Sequence, residues 1–408
     1  MREAAGSVRP RVVAARILQG VLQQHKKARQ LFADQAPLLD ARTRAWVHEA
    51  VYGGLRHFFS LEADFSRFLR DKPEPAVLSL LLLGTYQIRH MRTSSHAAVA
   101  ETVEAAKHIC PRATGLINAI LRRVAASMPP SRLKPHQRLE LPQWLYRHWR
   151  DAFGREIVCQ FAPFFSQQPP LCLAVTTEPE SYVAWLRQRG IRASVGQHAP
   201  SAILVHEAVD VASLPGYSKG QVMVMDQAGQ MAVHALPESR SGIVLDLCAA
   251  PGGKGSLLAW RMPGAHIVSV ELSSSRIPRL RENMRRMKQD NHGLVQADAR
   301  NLPFTAGSVD RVLLDAPCSA SGVLRRHPDA KFLHDPKELP VFRNIQRDML
   351  LEGLRVLKAG GYLLYVVCSI HPEENEQVLE PYLEHVVEQR RILPSSSHDG
   401  FFYALLQV

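Results

Sequence analysis

Two kinds of reactive side chain sit at the ends of apolar runs in the second half of this 408-residue chain. Acids come first. Asp246 lies in the run 243–247, Glu271 ends 266–271, Asp298 follows 294–297, and Asp315 lies near the end of 311–316. Cysteines come second, Cys318 in Asp315-Ala-Pro-Cys318 and Cys368 closing 362–368. One carboxylate can accept hydrogen bonds from two adjacent hydroxyls, which suits a ribose diol. A thiolate is a nucleophile near neutral pH. Between Asp246 and the first helical segment runs Cys248-Ala249-Ala250-Pro251-Gly252-Gly253-Lys254, a stretch of small residues and a Pro-Gly-Gly turn that regular structure does not tolerate.

Acids and glycines at strand ends carry information when the strands are parallel, because ligands of open α/β sheets bind beyond the carboxyl ends. The apolar runs alternate with helical segments at 276–287 and 340–357, which predicts a Rossmann-like α/β domain over 236–408, its parallel sheet covered on both faces. The tail FFYALLQV is expected to add an edge strand. The acid positions suit an adenosine-type ligand. A dinucleotide is poorly supported, since the loop reads AAPGGKG and lacks GxGxxG.

Upstream the pattern changes twice. Apolar residues at three- and four-residue spacing run from 11 to 124 with no strand signal, predicting an all-α domain over 1–130. The Pro- and Ser-rich stretch 131–143 reads as a linker. Residues 144–235 return to helix and then alternate strand, helix, strand, as in a small α+β subdomain of ferredoxin or RRM type.

The net charge of +12 is concentrated at the start, where residues 1–130 hold 19 Lys and Arg against 10 Asp and Glu. Such an excess suits a polyanion binder. No run reaches the roughly 18 apolar residues of a membrane helix, and the start MREAAGSVRPR has no apolar signal core. The six cysteines form no C-x-x-C pair, so neither a zinc knuckle nor a disulfide framework is indicated. A cytoplasmic monomer with no metal and no membrane association is therefore the expectation.

The runs DLCAAPGGK (246–254), DAPCSASGVLRRHPDAKF (315–332), CSIHPEEN (368–375) and DGFFYALL (399–406) resemble successive motifs of the RNA cytosine-5 methyltransferases, which use S-adenosyl-L-methionine. LLLGTYQIRHMRTSSHAAVAETVEAAK (81–107) and GLINAILRR (115–123) resemble the NusB-type helical RNA-binding fold. The fusion of the two is similar to the bacterial small-subunit (16S) ribosomal RNA methyltransferase B group.

The resemblance implies that Cys248, Ala249, Ala250, Pro251, Gly252, Gly253 and Lys254 line the methionine end of the cofactor, with Glu271 on the ribose, Asp298 by the adenine, and Arg276 and Asp315 nearby. It also implies that Cys368 attacks cytosine C6, making C5 nucleophilic, and that Cys318 helps release the adduct. Asp315 would contact cytosine N3, stabilising the charge built up if it carries or shares a proton. Arg325, Arg326 and His327 would contact RNA phosphates; the basic segment 276–288, with five arginines and one lysine against one glutamate, could equally be a solvated face.

The chain departs from the family at Ala174 and Thr176, where Arg and Asn are usual, at Met225 before Asp226, at Gly255-Ser256, and at Glu271, where Asp is common. A competing class is an RNA-binding assembly or antitermination factor with a non-catalytic methyltransferase fold; a tRNA substrate is a further alternative.

Overall fold

The computed structural model describes residues 9–35 and 39–408; the first eight residues of the start, where no apolar signal core is expected, lie outside them. The chain divides into two compact units, residues 1–168 with 324–336, and residues 169–323 with 337–408.

In the first unit, helices span Pro10–Gln24, Ala28–Gln35, Ala41–Arg56, Phe58–Ser66, Pro75–His90, Ser95–Ile109 and Thr114–Ala126. Asp40 and Ser94 cap two of them, accepting from the amides of Thr43 and Ala97, which satisfies donors that a helix start leaves orphaned. Pro75 opens another, where its missing N–H costs nothing. The core is aliphatic, built on Leu18, Val51, Leu55, Leu80 to Leu83 and Leu121. One buried acid, Asp64, is satisfied by Arg67 and Arg89, each at 2.7 Å.

The stretch expected as a linker is structured. Pro135–Arg138 forms a helical turn, Leu139 and Leu141 are buried, and the Glu140 carboxylate accepts from the amides of Phe59 and Ser60 at 3.0 and 3.3 Å. The helix expected after it breaks at Gly154, whose φ is +82°, into Gln143–Phe153 and Arg155–Phe161.

The second unit holds two sheets. Strands β1 (Leu171–Val175), β2 (Ala193–Val195), β3 (Ala202–Val205) and β4 (Val222–Val224) form an antiparallel sheet of order β2-β3-β1-β4. The larger sheet comprises β5 (Ile243–Leu247), β6 (His266–Val270), β7 (His292–Val295), β8 (Val309–Asp315), β9 (Leu357–Val367), β10 (Val386–Ile392) and β11 (Phe401–Gln407), in the order β10-β11-β9-β8-β5-β6-β7. Strands β5 to β9 are parallel, while β11 pairs antiparallel with both β9 and β10. Strand β11 is therefore internal, not the expected edge, and the polar β10 holds that place. The strand order reverses between β8 and β5, which is where a ligand crevice opens in such sheets. Helix Gln227–Ala235, capped by Asp226, packs in the same core as β4, β5 and β11. No described helix is long and apolar enough to cross a membrane.

Candidate active site

The glycine loop leaves β5 through Cys248, whose φ is +60°, and enters helix Gly253–Arg261 by way of Gly252 at φ +101°. A side chain on Gly252 would be strained by that backbone and would also meet Leu280 at 2.6 Å, so only glycine fits the turn. Gly255 is equally constrained, because a Cβ there would lie 2.4 Å from Asp246 Oδ2. The loop is thus pressed onto the acid at the end of β5.

Asp246 is fully buried. Its Oδ2 accepts from Ser269 Oγ at 3.4 Å, and its Oδ1 has no hydrogen-bond partner among the described residues. Burial first, and then the neighbouring Asp315, push its carboxyl up to about 7. Glu271, just past β6, is 3% exposed and accepts from the amides of Ala250 at 3.1 Å and Ser273 at 2.9 Å. Arg276 pairs with it at 3.2 Å and also donates to the Ala250 carbonyl, tying loop to acid. Asp298, after β7, is gripped by Arg300 through its backbone and guanidinium, and these hydrogen bonds hold its carboxyl below the usual range.

Three expected cofactor residues differ from a simple lining role. The Cys248 thiol lies 4.0 Å from Met349 Sδ, and burial raises it to about 12. Lys254 reaches Asp315 Oδ2 at 2.5 Å. Burial opposes its ammonium, but Asp315, then Cys368 and Asp246, outweigh that and leave its pKa raised. Asp298 spends its oxygens on Arg300. The loop amides, the acid Glu271 with lone pairs to spare, and the orphaned Asp246 oxygen together fit an adenosyl sulfonium ligand with a diol and a cationic end.

The two cysteines meet. Their loops leave adjacent strands β8 and β9, paired in register up to Asp315 opposite Val366, and Sγ of Cys318 lies 3.3 Å from Sγ of Cys368. The Cys318 thiol is pushed well above its ordinary value, first by its hydrogen bond to Cys368 and then by burial. All six cysteines are free. Gly322 donates to the Cys368 carbonyl at 3.0 Å and accepts from Gly400 at 2.8 Å; a Cβ on Gly322 would meet the Gly400 oxygen at 2.1 Å. This close stacking brings the DGFF segment against the cysteine loops.

The RNA-contact expectation needs correction at one residue. Residues 324–336 belong to the helical unit, and Arg325 is 1% exposed there, its carbonyl accepting from Arg56 Nε at 3.1 Å. A side chain so buried cannot meet a phosphate from solvent. Asp329 accepts from the Ala28 amide at 2.9 Å, Lys331 donates to the Arg56 carbonyl at 2.9 Å, and Phe332 packs edge-on to Phe58. Arg326 is half-buried and His327 exposed. In the basic helix, Arg286 is also structural, donating to the carbonyls of Tyr217 and Val222 and stacking 4.1 Å over the Tyr217 ring.

A parallel sheet with a glycine loop at its switch point and acids on successive strand ends defines an S-adenosyl-L-methionine-dependent methyltransferase. Comparison with known proteins narrows the class. The family model described as 16S rRNA methyltransferase RsmB/F matches residues 233–389, the RsmF/B-like ferredoxin-like domain matches 141–212, and the NusB family matches 8–126. Proteins named ribosomal RNA small subunit methyltransferase B from Proteus mirabilis and Pseudomonas putida are each 34% identical, covering 97% of this chain and 98% of theirs. The solved structure of PH0851 superposes with a TM-score of 0.81 over 98% of this chain and 99% of its own at 22% identity, showing a shared fold. The chain belongs to the RsmB/F family of 16S rRNA methyltransferases.

Proposed function

We propose that the enzyme forms 5-methylcytosine in small-subunit ribosomal RNA through an adduct between Cys368 and cytosine C6. The observation that carries this reading is the pair of thiols 3.3 Å apart on one sheet rim, beside the Lys254–Asp315 pair. C5 of cytosine is a poor nucleophile. Addition of the Cys368 thiolate to C6 moves an electron pair toward C5, and a neighbouring cation is what such a thiolate needs. Lys254 is that neighbour.

The cofactor, when bound, supplies an electrophilic methyl group. Asp315, which accepts a hydrogen bond from Lys254 at 2.5 Å, faces the N3 edge where negative charge builds during attack. After C5 gains the methyl group, its proton passes to water, the C5–C6 double bond reforms, and Cys368 leaves as thiolate. Cys318 S–H, already hydrogen-bonded to that sulfur, stabilises the departing charge. In the cofactor pocket, Cys248 to Lys254, Glu271, Arg276 and Asp298 are the proposed binding residues.

RNA is held in this reading by exposed basic groups, His327 and the half-buried Arg326 among them, and by the basic helical unit, whose NusB-like fold supports a tether to polyanionic RNA. Work in the cytoplasm as a metal-free monomer completes the proposal. Transfer of tritium from labelled cofactor into unmodified 16S RNA tests it. Label in cytosine C5 is expected; label appearing only in tRNA, or none at all, would overturn the substrate or the enzymatic reading.

A further inference from the structure

The two cysteines sit on different loops, and a carboxylate outside the reaction scheme joins those loops. Glu374, in the turn Pro372–Glu374, is fully buried. Its Oε1 accepts from the Ser319 amide at 2.8 Å and from Gln346 Nε2 at 3.2 Å. Its Oε2 accepts from the hydroxyls of Ser319 and Ser369, both at 2.5 Å. Ser319 directly follows Cys318, and Ser369 directly follows Cys368.

The contacts extend into a lattice. Ser321 Oγ lies 2.9 Å from Ser369 Oγ, and the amides of Ile370 and His371 donate to Ser321 and Ser369 at 3.1 Å. The Tyr365 hydroxyl donates to the Glu374 carbonyl at 2.7 Å. A buried carboxylate is tolerated only when its lone pairs are filled. Here four neutral donors fill them, though burial still raises the carboxyl above its ordinary value.

We infer that Glu374 is a positioning residue, whose buried carboxylate clamps the loop bearing Cys318 to the loop bearing Cys368 and sets the distance between the two thiols. The inference rests on the two-cysteine reading above. The same charge sorts the thiols. Cys318 is faced by Cys368 and Glu374, with buried Tyr365 alongside, and its thiol is raised by the hydrogen bond to Cys368, by burial, and by the charges of Cys368 and Glu374. Lys254, the nearby cation, interacts with Cys368 and Asp315. One thiol therefore faces a cation and the other a carboxylate.

The test compares the full chain with Glu374→Gln and Ser369→Ala. For Glu374→Gln, cofactor affinity is expected within about twofold of wild type, whereas kcat on 16S RNA falls roughly tenfold with little change in KM, the pattern of lost transition-state geometry. The pH at which iodoacetamide modifies Cys318, read by peptide mass spectrometry, moves lower, because a negative neighbour has gone. Glu374→Asp, which keeps the charge, restores that pH. Wild-type kcat together with an unmoved Cys318 profile in Glu374→Gln overturns the inference. If Glu374→Gln fails to bind cofactor, Ser369→Ala decides: it cuts one arm of the clamp, and an unchanged kcat overturns the clamp. A wild-type chain that methylates no RNA sinks the catalytic reading instead, and the alkylation profiles still report on Glu374.

Discussion

The two ends of the same sheet rim treat their acids in opposite ways. On the cofactor side Glu271 and Asp298 each face a partly exposed arginine, Arg276 and Arg300. On the cysteine side Glu374 faces only hydroxyls and amides. A long basic side chain can swing away and release its acid to a ligand, since partly exposed ion pairs are worth little. Short hydroxyls anchored on backbone cannot. The first arrangement leaves acids exchangeable; the second fixes a geometry. In the proposed reading, ligand binding and covalent chemistry thus draw on differently built carboxylates along one sheet.

The comparison can be broken at several points. Cys368→Ala should abolish methyl transfer to RNA, a loss of at least about a thousandfold if the covalent step carries the reaction; retained transfer with Cys318 intact would show that another group attacks C6. Cys318→Ala should instead let the adduct form and persist, seen as a protein–RNA band on a denaturing gel, and a variant that turns over normally would remove its release role. Smaller is the effect of Glu271→Gln. Loss of a charged acceptor is expected to weaken cofactor affinity about tenfold, measured by calorimetry, with no adduct trapped; unchanged affinity would mean the ribose is held elsewhere.

The smallest effect concerns Asp246. Burial and Asp315 lift its carboxyl from 3.8 to about 7, so the folded state binds this proton more tightly than the unfolded chain does. Its contribution to stability is therefore fullest below about pH 4, declines as pH rises toward 7, and is level above that. In Asp246→Asn this decline should vanish. Relative to wild type, the melting temperature of the variant should rise between pH 4 and pH 7, by roughly 2–4 °C for each kcal/mol relieved. Parallel melting curves across that range would place the proton elsewhere.

Much of the site was legible because parallel strands read as continuous apolar runs. The runs at 243–247 and 311–316 coincide with β5 and β8 to within two residues, and their acids mark the strand ends. Other features needed pairing information. Strand β10 reads VVEQRRI with its middle residues exposed, so nothing but its partner β11 identifies it as a strand. In β11 every residue from Phe401 to Leu406 is buried, and that unbroken apolar run was the available sign of an inside strand. Arg325 carried the opposite signal: two adjacent arginines and a histidine suggest a wet surface, while the fold spends the first of them inside the helical unit. Glu374 stands in the sequence as one of three nearby acids, Glu373, Glu374 and Glu376, and only the fold shows which is buried against the cysteine loops, although a serine after each cysteine hints at a shared acceptor.

The helical unit is assembled from two separated stretches of chain, the second threaded in from between β8 and β9. It is therefore not a module that ends where its amino-terminal sequence ends. Shortening the chain by its first 140 residues would leave Lys331 without the Arg56 carbonyl and Phe332 without Phe58, stranding a buried ammonium and an aromatic ring in the middle of the remaining polypeptide. Replacing the helical part by another would therefore require residues 324–336 to be replaced with it if these contacts are to be kept.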